Sequence, residues 1–225
     1  MTSFKLIVPS GQPGEWHRLD CLNWEAGWPY KPLVEFRLWH SEGSGATGEP
    51  TLHLEYRVEE QSVRAVETRD GHDVYKDSCV EFFFQPLPDD PHYYNFEFNA
   101  IGTMVCSWRT GRLDPEDASA EVLASVKREA GKTRCGRMVF APSVEGSRVG
   151  FEEKPSKGPW MLRADIPVSA LWRSGLRSFS GLRARGNFYK CGDALKVPHF
   201  VTFAPIDTVK PDYHRPEFFT ELEFE

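Results

Sequence analysis

The chain lacks any run of apolar residues near the 18 or more that a membrane-spanning helix needs, so no segment reads as a helical span. Its first apolar stretch, Leu6-Ile7-Val8, stops at Pro9 and is too short for the core of a secretory signal. As given, the sequence is expected to be cytoplasmic, or extracytoplasmic if it is a processed fragment. Basic charge is also scarce: 27 Lys and Arg stand against 33 Asp and Glu, for a net charge of −6. No broad basic face is left to release counterions from a phosphate backbone, which argues against nucleic acid as a partner. Arg173, Arg177, Arg183 and Arg185 come nearest to a basic run and read as a solvated face. Cysteine is odd in number, with Cys21, Cys79, Cys106, Cys135 and Cys191 and no Cys-x-x-Cys pair. That excludes a disulfide framework and a zinc knuckle, and leaves free, buried thiols. A nucleophilic cysteine would need His199 or His214 beside it, and no signature surrounds any of the five. Repeats, low-complexity tracts and long linkers are missing too, so residues 1–225 form one domain. The sequence sets no oligomeric state.

What is present is enough for a core. A folded chain of 25.7 kDa keeps roughly 10,000 Å² exposed out of about 37,000 Å² unfolded, burying about 70% without covalent staples. With 18 Gly and 17 Pro it is rich in turns. Period-2 alternation dominates: Leu52, Leu54, Tyr56 and Val58 share one side of a strand, and 34–39 and 94–99 behave alike, the latter with Tyr94, Phe96 and Phe98 inward. Further strands are expected at 63–66, 79–85, 103–109, 137–141, 160–166, 183–190, 199–203 and 219–224, with turn clusters at 42–50 and 86–91. Val122, Leu123 and Val126, behind an acidic first turn with Glu116 and Asp117, predict a helix from Ser119 to Ala130. A second helical turn is expected at Val168 to Trp172. The fold class is all-β: an antiparallel, jelly-roll-like β-sandwich with one or two short helices.

Chemistry gathers on one sheet face. Val80, Phe82 and Phe84 load one side of their strand and leave Glu81 on the other, while Asn95, Glu97 and Asn99 point away from Tyr94, Phe96 and Phe98. Pairing these two strands sets two carboxylates and two amides on a common surface, an array of donors and acceptors suited to hydroxyl groups. A solvated sheet face is the plainer alternative. Two carboxylates also invite a glycosidase reading, but neighbours on an exposed sheet would both stay ionised, and nothing separates their roles.

The segments Asn23-Trp24, Tyr30-Lys31-Pro32, Asp77-Ser78-Cys79-Val80-Glu81-Phe82, Tyr93 to Asn99, and Tyr213-His214-Arg215-Pro216-Glu217-Phe218 together resemble the family 9 carbohydrate-binding modules, and especially stand-alone family-9-like proteins of the DOMON-like superfamily. The resemblance spans nearly the whole chain. It implies non-catalytic binding of a small saccharide, or the reducing end of a glycan, between two aromatic planes in the context of carbohydrate breakdown. Tyr75 and Tyr213 fall where studied modules carry tryptophans, and a tyrosine ring can still stack on the C–H face of a pyranose. Glu81 matches a ligand-contacting glutamate, Glu97 falls where an arginine can stand, and Asn187 and Lys190 lie on the strand expected to floor the cleft. The ligand-binding set is therefore Tyr75, Glu81, Asn95, Glu97, Asn99, Asn187, Lys190 and Tyr213, with a saccharide as partner and no required cofactor. Arg64 reads as a structural ion-pairing residue, and Trp24, Trp28, Trp108, Trp160 and Trp172 as anchors of core and loops. Members of this family can hold a structural calcium; Asp70, Asp73, Asp89, Asp90 and Asp207 are the oxygen donors on loops. Haem binding is the competing class within the superfamily, with Met104, Met138, Met161 and His199 as axial candidates.

Overall fold

The computed structural model describes residues 5–43, 48–113 and 115–225. The middle of the 42–50 turn cluster therefore lies outside the described residues. In chain order the strands are β1 (Lys5–Val8), β2 (His17–Arg18), β3 (Leu33–Ser41), β4 (Thr51–Glu59), β5 (Ser62–Ala65), β6 (Cys79–Gln85), β7 (Tyr93–Asn99) and β8 (Met104–Arg109). They continue as β9 (Glu116–Asp117), β10 (Lys127–Arg134), β11 (Arg137–Pro142), β12 (Phe151–Pro155), β13 (Trp160–Pro167), β14 (Arg183–Cys191), β15 (Phe200–Thr202) and β16 (Thr220–Phe224). One α-helix among the described residues, α1 (Ala120–Ser125), lies between β9 and β10. Among the described residues, an eight-stranded sheet runs β1-β16-β14-β6-β7-β8-β9 with β15 added beside β14, and a six-stranded sheet runs β11-β10-β13-β4-β3-β2. Pairing is antiparallel except for β1 against β16. No helix among the described residues is long and apolar enough to cross a membrane.

Alternation explains the packing between the two sheets. Val80, Phe82 and Phe84 of β6, Phe96 and Phe98 of β7 and Phe188 of β14 face Phe36, Leu54 and Val58 of the other sheet in one apolar core. Phe188 stacks on Phe36 at a centroid distance of 3.7 Å and on Phe82 at 4.7 Å. Tyr56, wholly buried, donates its hydroxyl across this core to the Glu81 backbone carbonyl at 2.6 Å, so its polar tip is satisfied.

The outer face of the larger sheet departs from a solvated face. Every residue of β6 and β7 is buried. Phe83, Tyr93 and Tyr189 on that side form a second apolar cluster with Trp24, Ile206, Tyr213 and Phe219, which come from the segments before β3 and after β15. Trp24 ties these segments together by donating Nε1–H to Thr208 O at 2.9 Å. The region that a sequence reads as half-polar thus becomes a covered layer with a gap in it.

The expected helix from Ser119 to Ala130 is cut short. Ser119 caps α1 by accepting from the Val122 amide, but Val126 is already extended with ψ 108°, and Lys127 opens β10. The cause is tertiary. β10 pairs with β13 from Lys127 onward, and the Arg128 guanidinium turns back to cap the Leu123 and Val126 carbonyls while bonding Asp70. The turn expected at 168–172 is a 3₁₀ turn over Val168–Ala170. Strands β2, β9 and β12 are too short or too polar to show an alternation, while in β1 the apolar run Leu6-Ile7-Val8 hides the period of two that turns Leu6 and Val8 inward.

Candidate functional site

The covering segments leave a cleft of about 980 Å³ above the outer face of β6 and β7. The sheet supplies its polar floor. Glu81 and Glu97 are direct partners in the β6–β7 register, which places their Cβ atoms about 4.5–5.5 Å apart, and both are nearly buried, 3% and 6% exposed. Asn95 donates to Glu97 Oε1 at 2.7 Å and accepts from the amide and hydroxyl of Ser107. The Asn95 amide is thereby fixed in orientation. Glu81 Oε1 accepts from the Cys191 thiol at 3.0 Å.

Loops and strand ends supply aromatic surface from Trp28, Tyr75, Phe200 and Tyr213. Tyr75 sits on a 3₁₀ turn over Val74–Lys76, anchored by buried Val74. Its backbone carbonyl accepts from the Asp193 amide, and its ring, 37% exposed, has the Lys76 ammonium 5.6 Å from its centroid. Tyr213 is held differently: its ring stacks on Tyr189 at 4.2 Å and 8°, and its hydroxyl donates to Lys190 O at 2.9 Å. One face of Tyr213 is therefore occupied by protein. Arg109, Arg112, Asp193, Asp212 and His214 complete the lining, with Arg112 paired to Asp212 at 2.8 Å.

Burial sets the electrostatics. It pushes the Glu81 carboxyl well above its ordinary range, and the neighbouring Glu97 charge adds to this. Burial raises Glu97 to about 7, with the Asn95 hydrogen bond opposing, and raises Asp193 to about 6. The expectation that both glutamates stay ionised fails, because the sheet face is covered rather than exposed. Near neutral pH this floor carries protonated carboxyls that donate as well as carboxylates that accept. His214 is pushed down to about 3 by burial and by the Arg109 and Arg112 charges, so it is neutral; its Nδ1 lies 2.9 Å from the Tyr93 hydroxyl.

Of the residues predicted to bind ligand, Tyr75, Glu81, Asn95, Glu97 and Tyr213 line this cleft together. Three others do not. Asn99 donates to Asp77 Oδ2 and Glu67 O and accepts from the Ile101 and Thr103 amides, closing the end of β7. Asn187 is fully buried, bridging the Ala204 amide and carbonyl. Lys190 lies opposite Val80 in register, on the other face from Asn187, Tyr189 and Cys191, and is buried with Glu60 at 2.9 Å and His199 at 2.7 Å. A period of two forbids Asn187 and Lys190 from sharing one face.

The cleft also uses Trp28, Arg109, Arg112, Asp193 and His214, which sequence reasoning did not select as ligand contacts. Trp28 carried a signal, an aromatic beside Pro29 in the loop that the family resemblance spans, but it read as an anchor. Arg64 forms the expected structural ion pair, with Asp77.

The five loop aspartates do not converge. Asp70 is held by Arg128 and Arg148, Asp73 by Lys76 and Asp90 by His92, while Asp89 and Asp207 are exposed; these residues do not fit a calcium cage. Among the haem candidates, Met104 is fully buried in the sandwich core. His199 has Nε2 against Lys190 and Nδ1 against Val197 O.

A β-sandwich with an aromatic-lined polar cleft on its outer sheet face has the architecture of a ligand-binding module. The profile of carbohydrate-binding family 9 matches residues 10–224, and the chain belongs to that family. Among solved structures, a protein of Bacteroides uniformis ATCC 8492, provisionally assigned as carbohydrate-binding, is 35% identical with a TM-score of 0.82, over 98% of this chain and 99% of that one. A family 9 module of Caldicellulosiruptor kristjanssonii shares the fold at 10% identity. Its cellotriose complex has a TM-score of 0.55 over 99% of this chain and 94% of that one, and its glucose complex 0.54 over 99% and 96%. No curated protein matches the chain.

Proposed function

We propose that the protein binds a small saccharide, or the terminal unit of a glycan, in the cleft above β6 and β7 without cleaving it. The observation that carries this reading is the pairing of a fixed floor, Glu81, Asn95 and Glu97, with the accessible ring of Tyr75 in one cleft. Two carboxyls and an amide offer donors and acceptors to ring hydroxyls, and tyrosine offers a flat apolar face. Asp193 and Arg112 extend the polar array, while Trp28 and Tyr213 narrow it. Asn99, Asn187 and Lys190 act behind the cleft, holding the strands and loops that shape it.

The placement of the carboxyls supports binding without cleavage. Glu81 and Glu97 are cross-strand partners on one face, so both meet the same side of a ligand lying on the sheet, whereas glycoside hydrolysis needs carboxyls flanking the bond. Burial raises both carboxyls, Glu81 more than Glu97, so it is their placement that speaks against cleavage. Binding in carbohydrate breakdown is the matching physiological context.

The test is calorimetric titration with mono- and oligosaccharides, each before and after borohydride reduction of its end. Micromolar to millimolar binding is expected, since hydroxyl bonds largely replace bonds to water. Loss on reduction identifies end recognition. Silence across the panel, or release of reducing ends from an oligosaccharide on incubation, overturns the reading.

A further inference from the structure

We propose that Cys79, Glu81 and Cys191 form a binding site for one thiophilic divalent cation, zinc first, at the floor of the cleft. Cys79 and Cys191 are direct partners in the β6–β14 register, and Glu81 lies two residues along β6 on the same face, so the sheet itself aims all three side chains at one point. Their ligand atoms lie within 4.8 Å of one another, with Cys191 Sγ 3.0 Å from Glu81 Oε1. A tetrahedral ion with bonds of about 2.3 Å to sulfur and about 2.0 Å to oxygen spaces its donors about 3.5–3.8 Å apart, within reach of small side-chain rotations.

The surroundings favour an added cation. Neither Glu81 nor Glu97 has an ion-pair partner within contact distance among the described residues, although both carboxyls are nearly buried. The Cys79 thiol meets Val80 O at 3.7 Å and the Cys191 thiol beside it, so the two sulfurs already face each other. All three residues are shielded, at 0%, 3% and 1% exposure for Cys79, Glu81 and Cys191, yet Glu81 and Cys191 line the cleft. The ion can therefore enter from that side and keep its fourth position open toward it. Two sulfurs select zinc, cobalt or cadmium over calcium and magnesium. Binding forms two metal–sulfur bonds and one metal–oxygen bond and releases to solvent both thiol protons and the proton that the Glu81 carboxyl carries. This inference does not rest on the saccharide reading.

The experiment uses the full chain, reduced with a phosphine, freed of metal with a chelator and titrated with Co²⁺ alone, in wild type and in Cys135→Ser, which removes the exposed thiol. Both should show a thiolate-to-cobalt charge-transfer band that saturates at one equivalent and vanishes on adding Zn²⁺. Cys79→Ser and Cys191→Ser should each abolish the band, and Glu81→Gln should weaken affinity at least 10-fold. X-ray absorption of the zinc-loaded wild type should show two sulfur neighbours, a readout that stands even if a variant does not fold. Absence of the band in wild type, its survival in both cysteine variants, or a zinc shell without sulfur overturns the proposal.

Discussion

Replacing Asp70 with asparagine tests how this sandwich is tied together. Asp70 is 6% exposed at its side chain and sits between Arg128 and Arg148, 4% and 2% exposed, at 2.9 and 2.8 Å. It also accepts the Met104 amide at 2.9 Å. The two guanidiniums reach onward to the carbonyls of Gly102, Leu123 and Val126 and of Thr68 and Ser143. One carboxylate therefore joins the loop before β6, the end of α1 and the loop after β11. Asp70→Asn keeps the shape but takes from two buried cations the carboxylate they contact, leaving the more distant Glu145 charge. Breaking a buried ion pair on one side costs about 3–5 kcal/mol, which in a chain of this size lowers Tm on the order of 10 °C. Urea unfolding with an unchanged m-value measures it directly. Burial alone would raise the Asp70 pKa, but the Arg128 bond and charge, the Arg148 bond and the Met104 amide outweigh burial and hold it below the ordinary value. Its folded pKa is thus depressed: the stabilisation is present above the unfolded value, near about 3.9, and is lost as pH falls through the folded one. Wild type should lose stability steeply below about pH 4, and the variant should lose correspondingly less there. A neutral-pH penalty under about 1 kcal/mol, the level of an exposed pair, would refute this account.

The two tyrosines should separate. Tyr75→Ala should weaken saccharide binding at least 10-fold with Tm unchanged, since its ring is 37% exposed, whereas Tyr213→Ala should cost about 3–5 kcal/mol of stability by opening a cavity against Tyr189; calorimetry and thermal melts distinguish them. Asn95→Ala should weaken binding and also cost about 1–3 kcal/mol of stability, since it orphans the buried Ser107 amide and the Glu97 carboxyl, and an unchanged affinity removes it from the site. A thiol reagent should titrate one cysteine rapidly in the native protein, Cys135, because Cys79, Cys106 and Cys191 are buried with thiols pushed up by burial and Cys21 is half-buried; all five should react in denaturant. Gly102→Ala should destabilise by about 2 kcal/mol or more, since φ is +78° and an added Cβ would stand 2.5 Å from Ser143 Oγ; a neutral melt contradicts the left-handed turn.

Strand positions and side-chain faces were legible without a fold, because a period of two is a property of the chain itself. Alternation in 79–85 and 94–99 already put Glu81 beside Glu97 and away from Phe82 and Phe96, and the paired register bears this out. The same periodicity, applied strictly, would have separated Asn187 from Lys190. Other features depend on partners distant in sequence. Whether the outer sheet face meets water or Tyr213, Phe219 and Trp24 was settled by segments more than 100 residues from β6 and β7 for Tyr213 and Phe219, and about 55 to 75 residues away for Trp24, and that cover raises Glu97 to about 7. Helix α1 ends early because Arg128 finds Asp70 and β13, a choice that local propensity cannot see. Local pattern is written in neighbouring residues; burial and charge are decided by what the folded chain brings against them.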